Sequence, residues 1–147
     1  MSYTSLTYHI VFSTKDRQPQ LVPELLPRLV KYLGGIIRSQ EGQMIEANGP
    51  EDHIHIVASM TPKFALADCL RDFKANSSGW IHDTFSSLRD FAWQEGYAAF
   101  TVSQSAVPKV VEYVRNQQQH HRKMTFREEL IALLKRHGIK YDEKYIA

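Results

Sequence analysis

The sequence predicts an α+β fold, an antiparallel sheet with helices packed on one face. Three observations carry that expectation. Segments rich in β-branched and aromatic residues alternate with segments of helical period, two of the strand-like segments are joined by a short polar loop, and the chain finishes on amphipathic helical stretches. Its 147 residues suit one domain, 1–147.

YTSLTYHIVFS, from Tyr3 to Ser13, has the composition and partial alternation of a first strand. After the polar turn KDRQPQ, Leu25, Leu26, Leu29, Val30, Leu33, Ile36 and Ile37 recur at helical spacing, predicting a helix from about Pro23 to Gln40. Gly34-Gly35 inside it costs about 1 kcal/mol per glycine relative to alanine, which implies close packing on the sheet or a break. Gln43–Asn48 and His53–Met60, separated by GPED, read as a hairpin. Leu66, Cys69, Leu70, Phe73, Ser77, Trp80 and Ile81 mark a second helix over Ala65–Phe85, and a fourth strand starts near Tyr97 and runs to Ser103. Val107 to Arg122 has helical period. Thr125 followed by Glu128 is a capping box opening a last helix that stops before Gly138. The order is β-α-β-β-α-β-α-α, the split βαβ or ferredoxin-like pattern plus two C-terminal helices.

With 43% hydrophobic residues the chain can bury a core, which excludes disorder. No apolar run approaches the ~18 residues of a membrane span, and the N-terminus lacks a secretory pattern, so a cytoplasmic protein is expected. A single cysteine, Cys69, excludes an internal disulfide and any cysteine-based zinc cluster. The net charge of +2 conceals an asymmetry. Lys109, Arg115, Arg122, Lys123 and Arg127 face only Glu112 in their stretch, whereas Glu41, Glu46, Glu51, Asp52 and Asp68 face only Lys63 in theirs. The basic stretch is either a solvated helix face or an anion-binding one.

Strand alternation in DHIHIVASM puts Ile54, Ile56, Ala58 and Met60 toward the core and His53 and His55 together on the opposite side. Two parallel imidazoles suit one metal ion, or a pair of hydrogen-bonded surface histidines. Spacing alone does not decide, because 7 histidines in 147 positions give about 0.3 such pairs by chance. On the helix after the fourth strand, a turn of about 100° per residue from Tyr113 sets Gln117 near 40° and His120 near −20°, with the valines to one side. Tyr113 thus borders the buried stripe, either as an amphipathic residue at the core edge or as a nucleophile held rigidly with its hydroxyl free.

Taken together, HIVFSTKDRQPQL, EDHIHIVAS, FKANSSGWI, FAWQEGYAAFTVSQS, VEYVRNQQQHH and TFREEL…HGIKYDEKYI resemble the single-tyrosine HUH transposases of small insertion sequences, which mobilise single-stranded DNA. The resemblance runs nearly end to end. REP-associated tyrosine transposases are a less close match. The resemblance implies a His-hydrophobic-His metal pair at His53 and His55, a nucleophilic tyrosine at Tyr113, and a third ligand four residues on at Gln117. Ala98 departs from an expected glycine and Ala147 from a usual terminal aromatic; neither touches the chemistry. It further implies a homodimer in which one subunit's histidines meet the other's tyrosine helix.

These residue types suit phosphodiester transfer. Imidazoles and an amide are neutral, so a divalent cation, Mg²⁺ or Mn²⁺ by family analogy, keeps its full charge to polarise the scissile phosphate. Attack by a phenolate gives a 5′-phosphotyrosine and a free 3′-hydroxyl, and the conserved bond energy lets another 3′-hydroxyl reverse the step without a nucleotide cofactor. The implied partner is single-stranded DNA with a hairpin, for which Lys15, Arg17, Arg71, Lys74, Arg122 and Lys123 are the candidate phosphate contacts. Two rival readings fit the same chain. A ferredoxin-like sheet displaying Tyr8 and Phe12 resembles a non-catalytic RRM-like nucleic-acid-binding module. A small metal-dependent phosphodiesterase using water would need the histidines and leave Tyr113 idle.

Overall fold

The computed structural model describes residues 1–146, and Ala147 lies outside them. Its elements follow the expected order: β1 (Thr7–Ser13), α1 (Leu26–Ser39), β2 (Gln43–Asn48), β3 (His53–Ser59), α2 (Leu66–Thr84), β4 (Ala98–Thr101), α3 (Val107–Arg115), α4 (Gln117–His120) and α5 (Phe126–Arg136). The sheet order is β2-β3-β1-β4, each neighbouring pair antiparallel. This is the ferredoxin-like arrangement. No helix among the described residues is long and apolar enough to cross a membrane.

One sheet face carries the main core. Ile10 and Phe12 of β1 and Ile54, Ile56 and Ala58 of β3 meet Leu29, Leu33 and Ile37 of α1 and Leu70 and Phe73 of α2. α1 passes unbroken through its two glycines, and a Cβ on Gly34 would meet only the Met44 sulfur at 3.8 Å, so neither a break nor an unusually close approach explains them.

The opposite face removes the alternative of surface histidines. Register pairs Val11 with His55, Ser13 with His53 and His9 with both Val57 and Phe100, so these side chains share one side. That side is covered. Val11 and Phe100 pack with Phe126 and Leu133 of α5, and His53 and His55 are both 0% exposed. Phe12, one of the two aromatics of the RNA-binding reading, is equally buried against α1 and α2.

The helix expected over Val107–Arg122 is divided. Its backbone leaves helical geometry at Asn116, between α3 and α4. The cause lies on β2, where the Asn48 amide donates to the carbonyls of Val114 and Arg115 at 3.1 and 3.0 Å and draws them out of the helical ladder. Gln118 closes the clasp by donating to Asn48 Oδ1 and to the Gly49 carbonyl. Gly49 is required there, since a Cβ would lie 2.1 Å from the His53 carbonyl oxygen. Three helices therefore follow β4 in place of two. The fourth strand is also shorter than predicted, because β1 ends its pairing with β4 at Tyr8–Thr101. α5 begins as predicted, with Thr125 and Glu128 forming both bonds of the capping box, and Gly138 follows it at φ +67°.

Candidate active site

The site assembles where β3, α3, α4 and α5 converge. Alternation along β3 directs His53 and His55 toward the C-terminal helices. On α5, Phe126, Glu129 and Leu133 are buried together at helical spacing, so a carboxylate occupies a position the stripe would give to leucine. Glu129 is the hub. Its Oε1 lies 3.2 Å from His53 Nε2, 3.0 Å from His55 Nε2 and 2.8 Å from His121 Nε2. Its Oε2 accepts from the Tyr113 hydroxyl and, at 2.9 Å, from Gln117 Nε2. His120 Nε2 lies 3.4 Å from the Tyr113 hydroxyl.

A further ring of contacts orients the imidazoles. Asp52 Oδ1 is 2.7 Å from His53 Nδ1, and His9 Nε2 is 2.8 Å from His55 Nδ1, with the His9 and His55 rings stacked. Such partners on the outer nitrogen fix a ring's rotation and tautomer, as they do for metal-bound histidines. The carbonyl oxygen of Gln117 is buried with no hydrogen-bond partner among the described residues. An orphaned acceptor beside converging imidazole nitrogens fits a cation. The ligand atoms of His53, His55, His121 and Glu129 all lie within 4.8 Å of one another.

Burial and charge set the protonation pattern. Burial pushes His55 down to about 4 and His9, with the neighbouring His55 adding to the effect, down to about 3. His53 is equally buried, but hydrogen bonds to Asp52 and Glu129 and their charges outweigh the desolvation and raise it. Desolvation also opposes ionisation of Glu129, yet hydrogen bonds from His121, His53 and His55 win and hold its carboxyl far below the usual range. Tyr113 moves the other way: burial, then the adjacent Glu129 carboxylate, push its phenol well above the ordinary value.

Of the residues singled out in the sequence, His53, His55, Tyr113 and Gln117 come together on Glu129. Arg17, Arg122 and Lys123 line one groove of about 670 Å³ with Asp52 and His121, at the edge of the cluster. Lys15 is exposed in the turn beside Arg17. Arg71 and Lys74 border a different cavity, with Trp93 and Tyr97. Arg71 is paired with Asp68 at 2.8 Å, and Lys74 donates to the Gly96 carbonyl at 2.6 Å. Sequence reasoning missed His9, Asp52, Glu129 and the part of His121. The signals were present: His9 shares the alternating face of β1, and Glu129 interrupts an apolar helical stripe.

Residues 2–117 match the family described as Transposase IS200 like. Over 117 residues the chain is 26% identical to the ISDra2 transposase TnpA of Deinococcus radiodurans, covering 76% of this chain and 84% of that protein. It is 28% identical over 116 residues to the transposase for insertion sequence element IS200 of Salmonella typhimurium, covering 75% of each. In fold it is similar to a REP-associated tyrosine transposase solved bound to a REP hairpin, with a TM-score of 0.62, 14% identity, and coverage of 82% of this chain and 72% of that one. His53, His55, Tyr113 and Gln117 all fall inside the matched segment, and the chain belongs to the IS200-like transposase family, DNA-cleaving enzymes of the tyrosine HUH type.

Proposed function

We propose that this transposase cleaves and rejoins single-stranded DNA at hairpin-marked element ends, with Tyr113 as the nucleophile. The observation that carries the reading is the meeting of the Tyr113 hydroxyl, the Gln117 amide and the His53 and His55 imidazoles on one buried carboxylate. His53, His55 and Gln117 would hold a divalent cation, Mg²⁺ or Mn²⁺, which when bound supplies charge to polarise the scissile phosphodiester. Tyr113 attacks phosphorus, the 3′-oxygen leaves, and a 5′-phosphotyrosine forms. The phenol proton has an acceptor already in place, because the hydroxyl donates to Glu129 Oε2. Attack by a different 3′-hydroxyl on the phosphotyrosine frees Tyr113 and joins new ends, with no nucleotide cofactor.

Arg17, Arg122 and Lys123 bring cationic side chains to the groove bordering Asp52 and His121, while Tyr113 lines a separate cavity with His9, Lys109 and Arg136. The similarity to a protein solved on a REP hairpin supports a folded DNA end as the partner. A homodimer with composite sites would require α3 and α4 to meet the histidines of a second copy as they meet their own here. The RRM-like reading is disfavoured by burial of Phe12 and coverage of both sheet faces.

The test is incubation with labelled single-stranded element ends in metal-supplemented buffer, followed by SDS and peptide mapping. An SDS-resistant adduct mapping to Tyr113, and absent from Tyr113→Phe, is expected. Cleavage without any adduct would instead establish the water-using phosphodiesterase.

A further inference from the structure

We propose that the metal centre is a site of three imidazoles and one carboxylate, in which His121 Nε2 and Glu129 Oε1 join His53 Nε2 and His55 Nε2. The proposal rests on the metal reading of His53 and His55 given above and adds donors from outside the family-matched segment, which ends at residue 117. Half of the set is then supplied by the stretch that follows α4.

Three of the donor–donor spacings are close to those of neighbouring ligands about one ion. Donors held at roughly 2.0–2.2 Å around a single cation sit roughly 3.0–3.5 Å from their neighbours. Glu129 Oε1 stands 2.8 to 3.2 Å from each of the three Nε2 atoms. All four atoms lie within 4.8 Å of one another.

Hydrogen-bond inventory points the same way. An ionised carboxylate only accepts, so Asp52 requires the hydrogen of His53 on Nδ1. Nε2 of His53 can then donate to Glu129 Oε1 only as the imidazolium, whereas the neutral ring offers that Nε2 lone pair to a cation. His55 is placed alike when it donates from Nδ1 to His9 Nε2. Three imidazole nitrogens also exceed the two lone pairs of the single oxygen they surround. A cation among them would take the neutral nitrogens and the carboxylate oxygen as ligands in place of these hydrogen bonds.

The carriers are rigid. Two donors stand on a central strand, and Glu129 lies one turn into a helix whose start is secured by the Thr125–Glu128 box and whose apolar stripe packs on Val11 and Phe100. A carboxylate in such a stripe, 1% exposed, is costly to bury unless paired or bound to metal. Three imidazoles also favour the borderline transition metals over Mg²⁺, which prefers oxygen donors and retains water, so Mn²⁺, Co²⁺ or Zn²⁺ is the fitting class.

The test is titration of the full-length protein with Co²⁺, followed by visible absorption and calorimetry, with circular dichroism to verify folding. Wild type should take one ion per chain, undisturbed by millimolar Mg²⁺. Glu129→Gln and His121→Ala should each weaken binding at least tenfold, and Gln117→Ala less. X-ray absorption on the Co²⁺-loaded wild-type protein, which needs no variant, should count three imidazoles. Two imidazoles, or unchanged binding in both Glu129→Gln and His121→Ala, would overturn the proposal and leave the smaller set of His53, His55 and Gln117. Unchanged binding in His53→Ala/His55→Ala would overturn the metal reading on which it rests.

Discussion

At the scale of the single residue, the site turns on which groups can be altered without moving their neighbours. Tyr113→Phe keeps the ring and removes one hydroxyl, while Glu129 Oε2 retains its bond from Gln117. Stability should fall by no more than about 1 kcal/mol, measured by denaturant unfolding, while adduct formation disappears. Asp52 is a positioning residue that acts through His53. Asp52→Asn should lower affinity for Mn²⁺ by about tenfold or more, since an amide can present its N–H to Nδ1 and favour the wrong tautomer. Equal affinity in wild type and variant would show that the Asp52 contact is incidental. His53, His55, Tyr113 and Gln117 were legible in the sequence because a two-residue strand repeat and a one-turn helical spacing put them on common faces, and a family resemblance gave those faces meaning. Glu129 was not. Its neighbour Glu128 had an evident task in the capping box, and only burial reveals that the next glutamate points inward.

At the scale of the element, the strands and the first two helices were predicted within a few residues because their patterns are local. The break at Asn116 was not, since its cause, Asn48, sits 66 to 67 residues away and leaves no trace in helical periodicity. Asn48→Ala should therefore loosen α3 and α4 with little effect on the sheet, seen as faster amide exchange over residues 113–120 and unchanged protection in β1 and β3. Gly49→Ala is the harsher change. Its Cβ collides with backbone rather than with a yielding side chain, so a loss of about 2 kcal/mol or more is expected in thermal unfolding.

At the scale of the whole molecule, the buried histidines tie stability to pH. His9 and His55 titrate at about 3 and about 4 in the fold and near 6.5 when unfolded. The unfolded chain therefore binds more protons below about pH 6.5, and stability falls as pH drops from there toward 4. His53, raised in the fold, opposes this: its contribution is complete below about pH 6.5 and lost as pH climbs through its folded value. Asp52 and Glu129, both depressed, add stability that disappears only as the medium becomes more acidic still. Two histidines against one predict a lower melting temperature at pH 5 than at pH 7 in metal-free protein, with a weaker dependence in His9→Gln. A flat or inverted profile would mean that burial of these rings does not govern acid stability. The proposed dimer is tested at the same scale. Co-expressed Tyr113→Phe and His53→Ala/His55→Ala chains, each inactive alone, should recover adduct formation as heterodimers, and verified heterodimers that stay inactive would show that every chain relies on its own tyrosine.

The distance along the chain between the histidines and their carboxylate has a consequence in time. His53 and Glu129 are 76 residues apart, with Tyr113 and Gln117 between them. Translation therefore delivers the histidine pair early and the tyrosine, amide and carboxylate late, in that order. Until α5 has been made and has docked, no nascent chain holds the cluster of His53, His55 and Glu129, and a ribosome that stalls midway releases a chain whose histidines lack their carboxylate.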